Sequence, residues 1–269
     1  MYIFELTRPG SWLTGIPDPE RQRDVQALLD LLTTCLEDAA ISLSLFEQAA
    51  AEARASDLQR RDDIETTWDA ERAREHRIQS ELEAQLPDDL ASSDWFDVRT
   101  RIMRQSLVEA KRERWCEGSI PKSYRSRVRV LHAKSCLYAF DTIAKSLKLL
   151  KEMPESHEGM ARACSIFSDA FPGLVGVRDS SHHAEDRVQA KKRANRIELQ
   201  PLINSAIHAP QGGVLFVNSI FDNRFGGTLA DGTFGEIEIS TESVAIAQQV
   251  VQLALDGFQW EGPASHLPH

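Results

Sequence analysis

The chain has 269 residues, with 31 Lys and Arg against 41 Asp and Glu; the resulting charge of −10 excludes indiscriminate coating of nucleic acid or membrane by a uniformly basic surface. Its composition, 42% apolar and 27% charged with 14 Gly and 11 Pro, is that of a globular chain forming one large domain or two small ones. No apolar run approaches the roughly 18 to 20 residues of a membrane span, and MYIFELTRPG lacks the basic and apolar regions of a signal peptide, so a cytoplasmic protein is expected. Cys35, Cys116, Cys136 and Cys164 stand far apart with no C-x-x-C pair, the pattern of buried reduced thiols rather than a zinc knuckle or a disulfide frame.

Between Pro17 and Ser56, Val25, Leu28, Leu29, Leu32, Leu36, Ala39, Leu43, Phe46 and Ala50 step by three or four, which predicts one stripe of a long bundle helix started at Asp18-Pro19-Glu20. Over residues 57–85 the apolar positions thin among many charges, as in a helix with a narrow buried edge and a broad wet face. Leu86-Pro87-Asp88-Asp89 breaks it, and Ser92 or Ser93 can cap a third helix reaching Gly118. After Ile120-Pro121 an apolar-rich helix runs to about Met153, Pro154 ends it, and residues 155–171 give a short helix before Phe171-Pro172-Gly173. A final bundle helix is predicted from about Arg178 to Arg193. Residues 214–217, 224–229 and 234–239 then read as short strands, with Asp231-Gly232 favouring a two-residue hairpin turn. Ser240 caps a terminal helix whose apolar residues would cover the hairpin. The expected architecture is mainly α: a bundle of long antiparallel helices over residues 15–200, with 57–90 a charged protruding segment, and a β-hairpin–helix appendage over 201–262 packed on it.

The charge is unevenly spread: −13 over residues 1–98, +10 over 99–151 and −7 over 152–269. Basic and acidic helices in such a chain either neutralise each other across a bundle or leave a local phosphate-binding surface. For the second case the candidate RNA-binding residues are Arg125, Arg127, Arg129, Arg187, Lys191 and Lys192.

No P-loop, nucleophile elbow, zinc-protease or kinase signature is present. The densest titratable cluster is Gly176-Val177-Arg178-Asp179-Ser180-Ser181-His182-His183-Ala184-Glu185-Asp186-Arg187. An arginine beside a histidine suits metal-free RNA cleavage: imidazole takes the proton of a ribose 2′-hydroxyl, and guanidinium holds the phosphate and its developing charge. The product would be a 2′,3′-cyclic phosphate, because the nucleophile belongs to the substrate. Arg127 and His132 share the spacing of Arg178 and His183, but Val128 follows the arginine and the pair lies inside an amphipathic helix.

Arg178-Asp179-Ser180-Ser181-His182-His183 resembles the signature of the HEPN superfamily, an arginine, four to six residues and a histidine, with a polar residue directly after the arginine. The order of helix, Pro break, motif and hairpin also looks like that of a group of bacterial proteins without assigned activity. The HEPN resemblance implies a helical bundle that dimerises, and a metal-independent endoribonuclease of toxin–antitoxin or phage-defence type. It implies Arg178 as phosphate ligand, Asp179 as the orienting residue and His183 as base, with no cofactor and no metal. On a regular helix His182 lies nearer the face of Arg178 than His183 does, so His182 stands beside it as a candidate. Two other readings of the cluster stay open: a structural network in which Glu185 and Asp186 pair with Arg178 and Arg187, and a metal site of His182, His183, Glu185 and Asp186. The rival function is a catalytically silent, antitoxin-like interaction or structural protein that binds a protein partner through the acidic helix of residues 57–85.

Overall fold

The long apolar stripes fold as amphipathic helices in a computed structural model, which describes residues 1–62, 64–86, 95–193, 195–203 and 207–268. The first stripe forms α1 (Pro19–Asp62), and the Asp18 carboxylate accepts a hydrogen bond from the Glu20 backbone N–H at 2.9 Å, as an N-cap should. The thin, charged stretch forms α2 (Ile64–Glu83), followed by α3 (Trp95–Cys116) and α4 (Lys122–Glu152). The break placed at Pro87 and the cap placed at Ser92 or Ser93 lie outside the described residues.

The chain divides into two compact units, one of Met1–Gln48 with Val128–His269 and one of Ala49–Arg127. In the first unit a single core gathers Val25, Leu32 and Leu43 of α1, Leu137, Phe140 and Leu147 of α4, and Met160 and Phe167 of α5 (Glu158–Ala170). Val244, Val250 and Val251 of α8 (Thr241–Asp256) complete it, and all eleven of these side chains are at most 2% exposed. In the second unit α2 packs against α3.

Between α5 and α8 the chain forms α6 (Leu174–His182), the four-residue α7 (Ala184–Arg187) and a set of short strands. The predicted helix from Arg178 to Arg193 is therefore corrected: it begins directly after the Pro-Gly break and stops at His182. β7 (Ser219–Phe221), β8 (Arg224–Thr228) and β9 (Phe234–Glu238) make an antiparallel sheet, with Phe225 opposite Ile237 and both buried. Residues 214–217 are not a strand. The Phe216 N–H bonds the Thr228 hydroxyl at 3.0 Å and its carbonyl accepts from the Thr228 N–H at 2.8 Å, contacts that replace a ladder. Nor is the β8–β9 turn two residues long: Leu229 N–H reaches the Thr233 carbonyl at 2.8 Å, and Gly232 takes φ +86°, which glycine adopts without strain. The sheet is covered by α6 rather than by the terminal helix, with Leu229 seated against Gly176 and Gly235, while α8 packs on α5 and on β1 (Leu6–Arg8). β1 pairs with β11 (Ser265–Leu267) and β2 (Trp12–Thr14) pairs with β10 (Gln259–Glu261), elements that the sequence reading omits. The remaining strands are the two-residue pairs β3 (Lys191–Lys192) with β4 (Asn195–Arg196) and β5 (Leu202–Ile203) with β6 (His208–Ala209).

Candidate functional site

Helix α6 owes its position to Leu174 and Val177, which are buried three residues apart, and to the buried hydroxyls of Ser180 and Ser181 on the same side. That seating leaves Arg178 and His182, one turn apart, on a neighbouring face, with the His182 ring exposed. His183 leaves the helix with φ −101° and ψ 46°, its N–H still bonded to the Asp179 carbonyl at 3.0 Å. The motif thus occupies a helix C-terminus, where the partial negative charge of the backbone favours a cation over a phosphate.

The guanidinium of Arg178 is held between two carboxylates. Nε lies 3.2 Å from Oδ1 of Asp141 in α4, without the alignment of a hydrogen bond, and Nη1 lies 3.0 Å from Oδ1 of Asp179. The other oxygen of Asp141 meets Lys145 Nζ at 2.6 Å. Asp141, with 7% of its side chain exposed, interrupts the apolar face of α4 beside Phe140 and Ile143, and that interruption is the sequence signal by which it could have been found. The imidazoles of His182 and His183 stand edge to face at 5.1 Å, and His183 Nδ1 lies 3.5 Å from Glu185 Oε1. Asp186 accepts a hydrogen bond from the Arg193 N–H at 3.0 Å. A polar network therefore exists, with Asp141 and Lys145 in it and with Glu185 turned to His183 and Asp186 to the Arg193 backbone N–H instead of to Arg178 and Arg187.

Arg187 is 3% exposed. Its Nε donates to the Ser180 hydroxyl at 2.9 Å and its Nη1 to the Lys191 carbonyl at 2.7 Å, while Ser180 donates onward to the Thr228 carbonyl. Arg187, Ser180 and Thr228 border a void of about 10 Å³, the room of one water, which Asn218 also lines. Burial removes Arg187 from the expected RNA-binding set. Of the others, Arg125 and Arg127 lie in one compact unit and Arg129, Lys191 and Lys192 in the other. Arg129 donates to the Asp222 carbonyl at 2.7 Å and stacks over the Phe46 ring, Lys191 reaches the Gln189 amide at 2.9 Å, and Arg127 and Lys192 are exposed.

Within the second unit, acidic and basic side chains of α2 and α3 pair: Arg74 with Glu117 at 2.8 Å, Arg77 with Glu113 at 2.6 Å, and Arg114 with Glu71. The basic middle of the sequence is in part neutralised there. Burial pushes the thiol of Cys35 up to about 11 and that of Cys136 up to about 12, whereas Cys116 is exposed and departs from the expected pattern. Among the described residues no three His, Cys, Asp or Glu side chains are grouped to hold a metal ion, and no helix is long and apolar enough to cross a membrane.

Comparison with family models, with curated proteins and with solved structures finds no match to this chain.

Proposed function

We propose that the chain is a metal-independent endoribonuclease of HEPN type, acting as a homodimer in a toxin or phage-defence role. The observation that supports this reading is the placement, in the last turns of α6 and just beyond its end, of Arg178 with its guanidinium between two carboxylates and of His182 and His183 with exposed imidazoles. Asp141 and Asp179 orient Arg178 and leave its remaining N–H groups to a phosphate. One imidazole takes the 2′-hydroxyl proton, the 2′-oxygen attacks phosphorus, and the 5′-oxygen leaves with a proton from a second imidazole. A dimer that faces two such helix ends into one cleft doubles the supply of imidazoles.

The test is cleavage of single-stranded RNA in EDTA by the wild type, by His182→Ala and by His183→Ala. Loss of cleavage in either histidine variant, with helical content retained, is the expected result. Undiminished cleavage in the doubly substituted protein overturns the reading. A catalytically silent interaction protein is the second reading, and it is favoured by the helix C-terminus and by the burial of Asp141 against Arg178. It predicts no cleavage in the wild type.

A further inference from the structure

The second compact unit carries a groove of about 620 Å³, within the size range of small-ligand sites, bordered by α2, the last turn of α3 and the connection from Ser119 into α4. Two indoles line it, Trp68 and Trp115, 58% and 47% exposed. Tryptophan is highly buried on average, so two large aromatic faces left to solvent on one groove are surface available to a ligand. One side of Trp68 is already occupied by a planar cation, the Arg72 guanidinium 3.9 Å from its ring centroid.

The electrostatics of the groove are asymmetric. Arg74, Arg114, Lys122 and Arg125 line it against Glu71 and Glu117. Arg114 and Arg74 are answered by those two carboxylates, whereas Lys122 and Arg125 have no carboxylate within 4.0 Å among the described side chains. Arg125 Nη1 is bonded to the Ser56 hydroxyl at 2.6 Å, which fixes the guanidinium without neutralising it. Among the described residues the buried Nε of Arg125 and Nη1 of Arg74 have no hydrogen-bond partner. Exposed indoles, together with cations that no described carboxylate neutralises, in one groove match a ligand that joins a flat aromatic ring to an anion.

We infer that this groove binds nucleoside phosphates, with a base stacked on Trp68 or Trp115 and a phosphate held at Lys122 and Arg125. The chemistry is shared by a free nucleotide and by one unit of a single strand. The inference stands on the second unit alone and does not depend on the chemistry proposed for Arg178 and the histidines.

The experiment is a fluorescence titration of the full chain with two probes, adenosine 5′-monophosphate and a 5′-phosphorylated ten-nucleotide single-stranded RNA, in parallel with Trp68→Leu, Trp115→Leu and the pair Lys122→Glu, Arg125→Glu. Saturable quenching by either probe is expected, weakened roughly tenfold or more in Trp115→Leu or Trp68→Leu and in the charge-reversed protein. Quenching by both probes identifies a free-nucleotide site, and quenching by the RNA alone identifies a strand site. Helical circular dichroism keeps the test valid for each variant, and the exposed Lys122→Glu change alone gives a second measure if the double change unfolds the unit. Absence of binding by the wild type, or binding unchanged in all the variants, overturns the inference.

Discussion

Nε of Arg178 lies 3.2 Å from Oδ1 of Asp141, a carboxylate that also holds Lys145 and is nearly buried on α4. The pair ties the motif helix to a central helix of the core. Arg178→Ala leaves Asp141 with Lys145 alone, and the expected loss is about 1–2 kcal/mol, a drop of a few degrees in Tm. His182→Ala and His183→Ala, with exposed rings, should stay within about 0.5 kcal/mol of wild type. A double-mutant cycle of Arg178→Ala with Asp141→Asn measures the coupling, and a value near zero would show that the contact carries no stability.

Arg187 is a larger structural commitment. Arg187→Met keeps the volume of the stem but leaves the Ser180 hydroxyl and the Lys191 carbonyl without the donor that serves both. Urea unfolding should register a loss of about 2–4 kcal/mol. Arg187→Lys should recover little of it, because a single ammonium does not reproduce the fork that reaches two acceptors in fixed directions. Wild-type stability in Arg187→Met would contradict this account of the buried network.

The pH dependence of stability should carry the signature of His157. Desolvation holds its imidazole below the usual 6.5, opposed by a hydrogen bond to the Ala254 carbonyl, and its Nε2 is buried without a hydrogen-bond partner among the described residues. In the window between the depressed folded value and 6.5 the unfolded chain binds more protons, so stability rises with pH there. The contribution is complete above 6.5 and is lost as pH falls through the folded value. His132 is shifted the same way by burial, so His157→Phe should flatten the pH profile of Tm only in part, and the double change with His132→Phe should flatten it further. An unaltered profile in the double variant would remove both groups from the explanation.

Gly257 ends α8 with an ordinary φ of −81°, so backbone strain gives no reason for glycine there. Space does. A Cβ on Gly257 would stand 1.7 Å from atoms of the His157 ring, which is itself pinned edge-on against Phe258 at 5.1 Å. Gly257→Ala should destabilise by about 1–3 kcal/mol through overpacking. His157→Ala in the same chain should recover part of that loss, and strict additivity of the two would refute the steric argument.

The long helices were legible because burial imposes a period of 3.6 on α1, α4 and α8, and because Ser240 caps α8 by accepting from the Ser243 N–H. The end of α6 was not legible. Nothing in His182-His183-Ala184-Glu185 resists a helix, and the chain turns there because Arg187 folds inward to Ser180 and the Lys191 carbonyl, a tertiary bond without a local cue. The same limit hid Asp141 as the partner of Arg178, since only the tertiary packing of α6 on α4 brings the two charges together. Residues 214–217 looked like a strand from their side chains, and the Thr228 hydroxyl, far along the chain, took the hydrogen bond that a ladder would have used. In the second unit, the two indoles stood out only once α2 and the end of α3 were placed on one groove.

The pairing of β1 with β11 and of β2 with β10 affects the order in which this protein assembles. Gln252 clamps Thr7 at both its N–H (2.9 Å) and its carbonyl (2.8 Å) across 245 positions of chain. Helices gather from near neighbours and form early, whereas closing so long a loop costs entropy that near-neighbour contacts cannot repay. A mainly helical protein closed this way is expected to join its two end strands after its helices have gathered. Its amides at Leu6, Thr7 and Leu267 should become protected late in refolding, after those of the helices they complete.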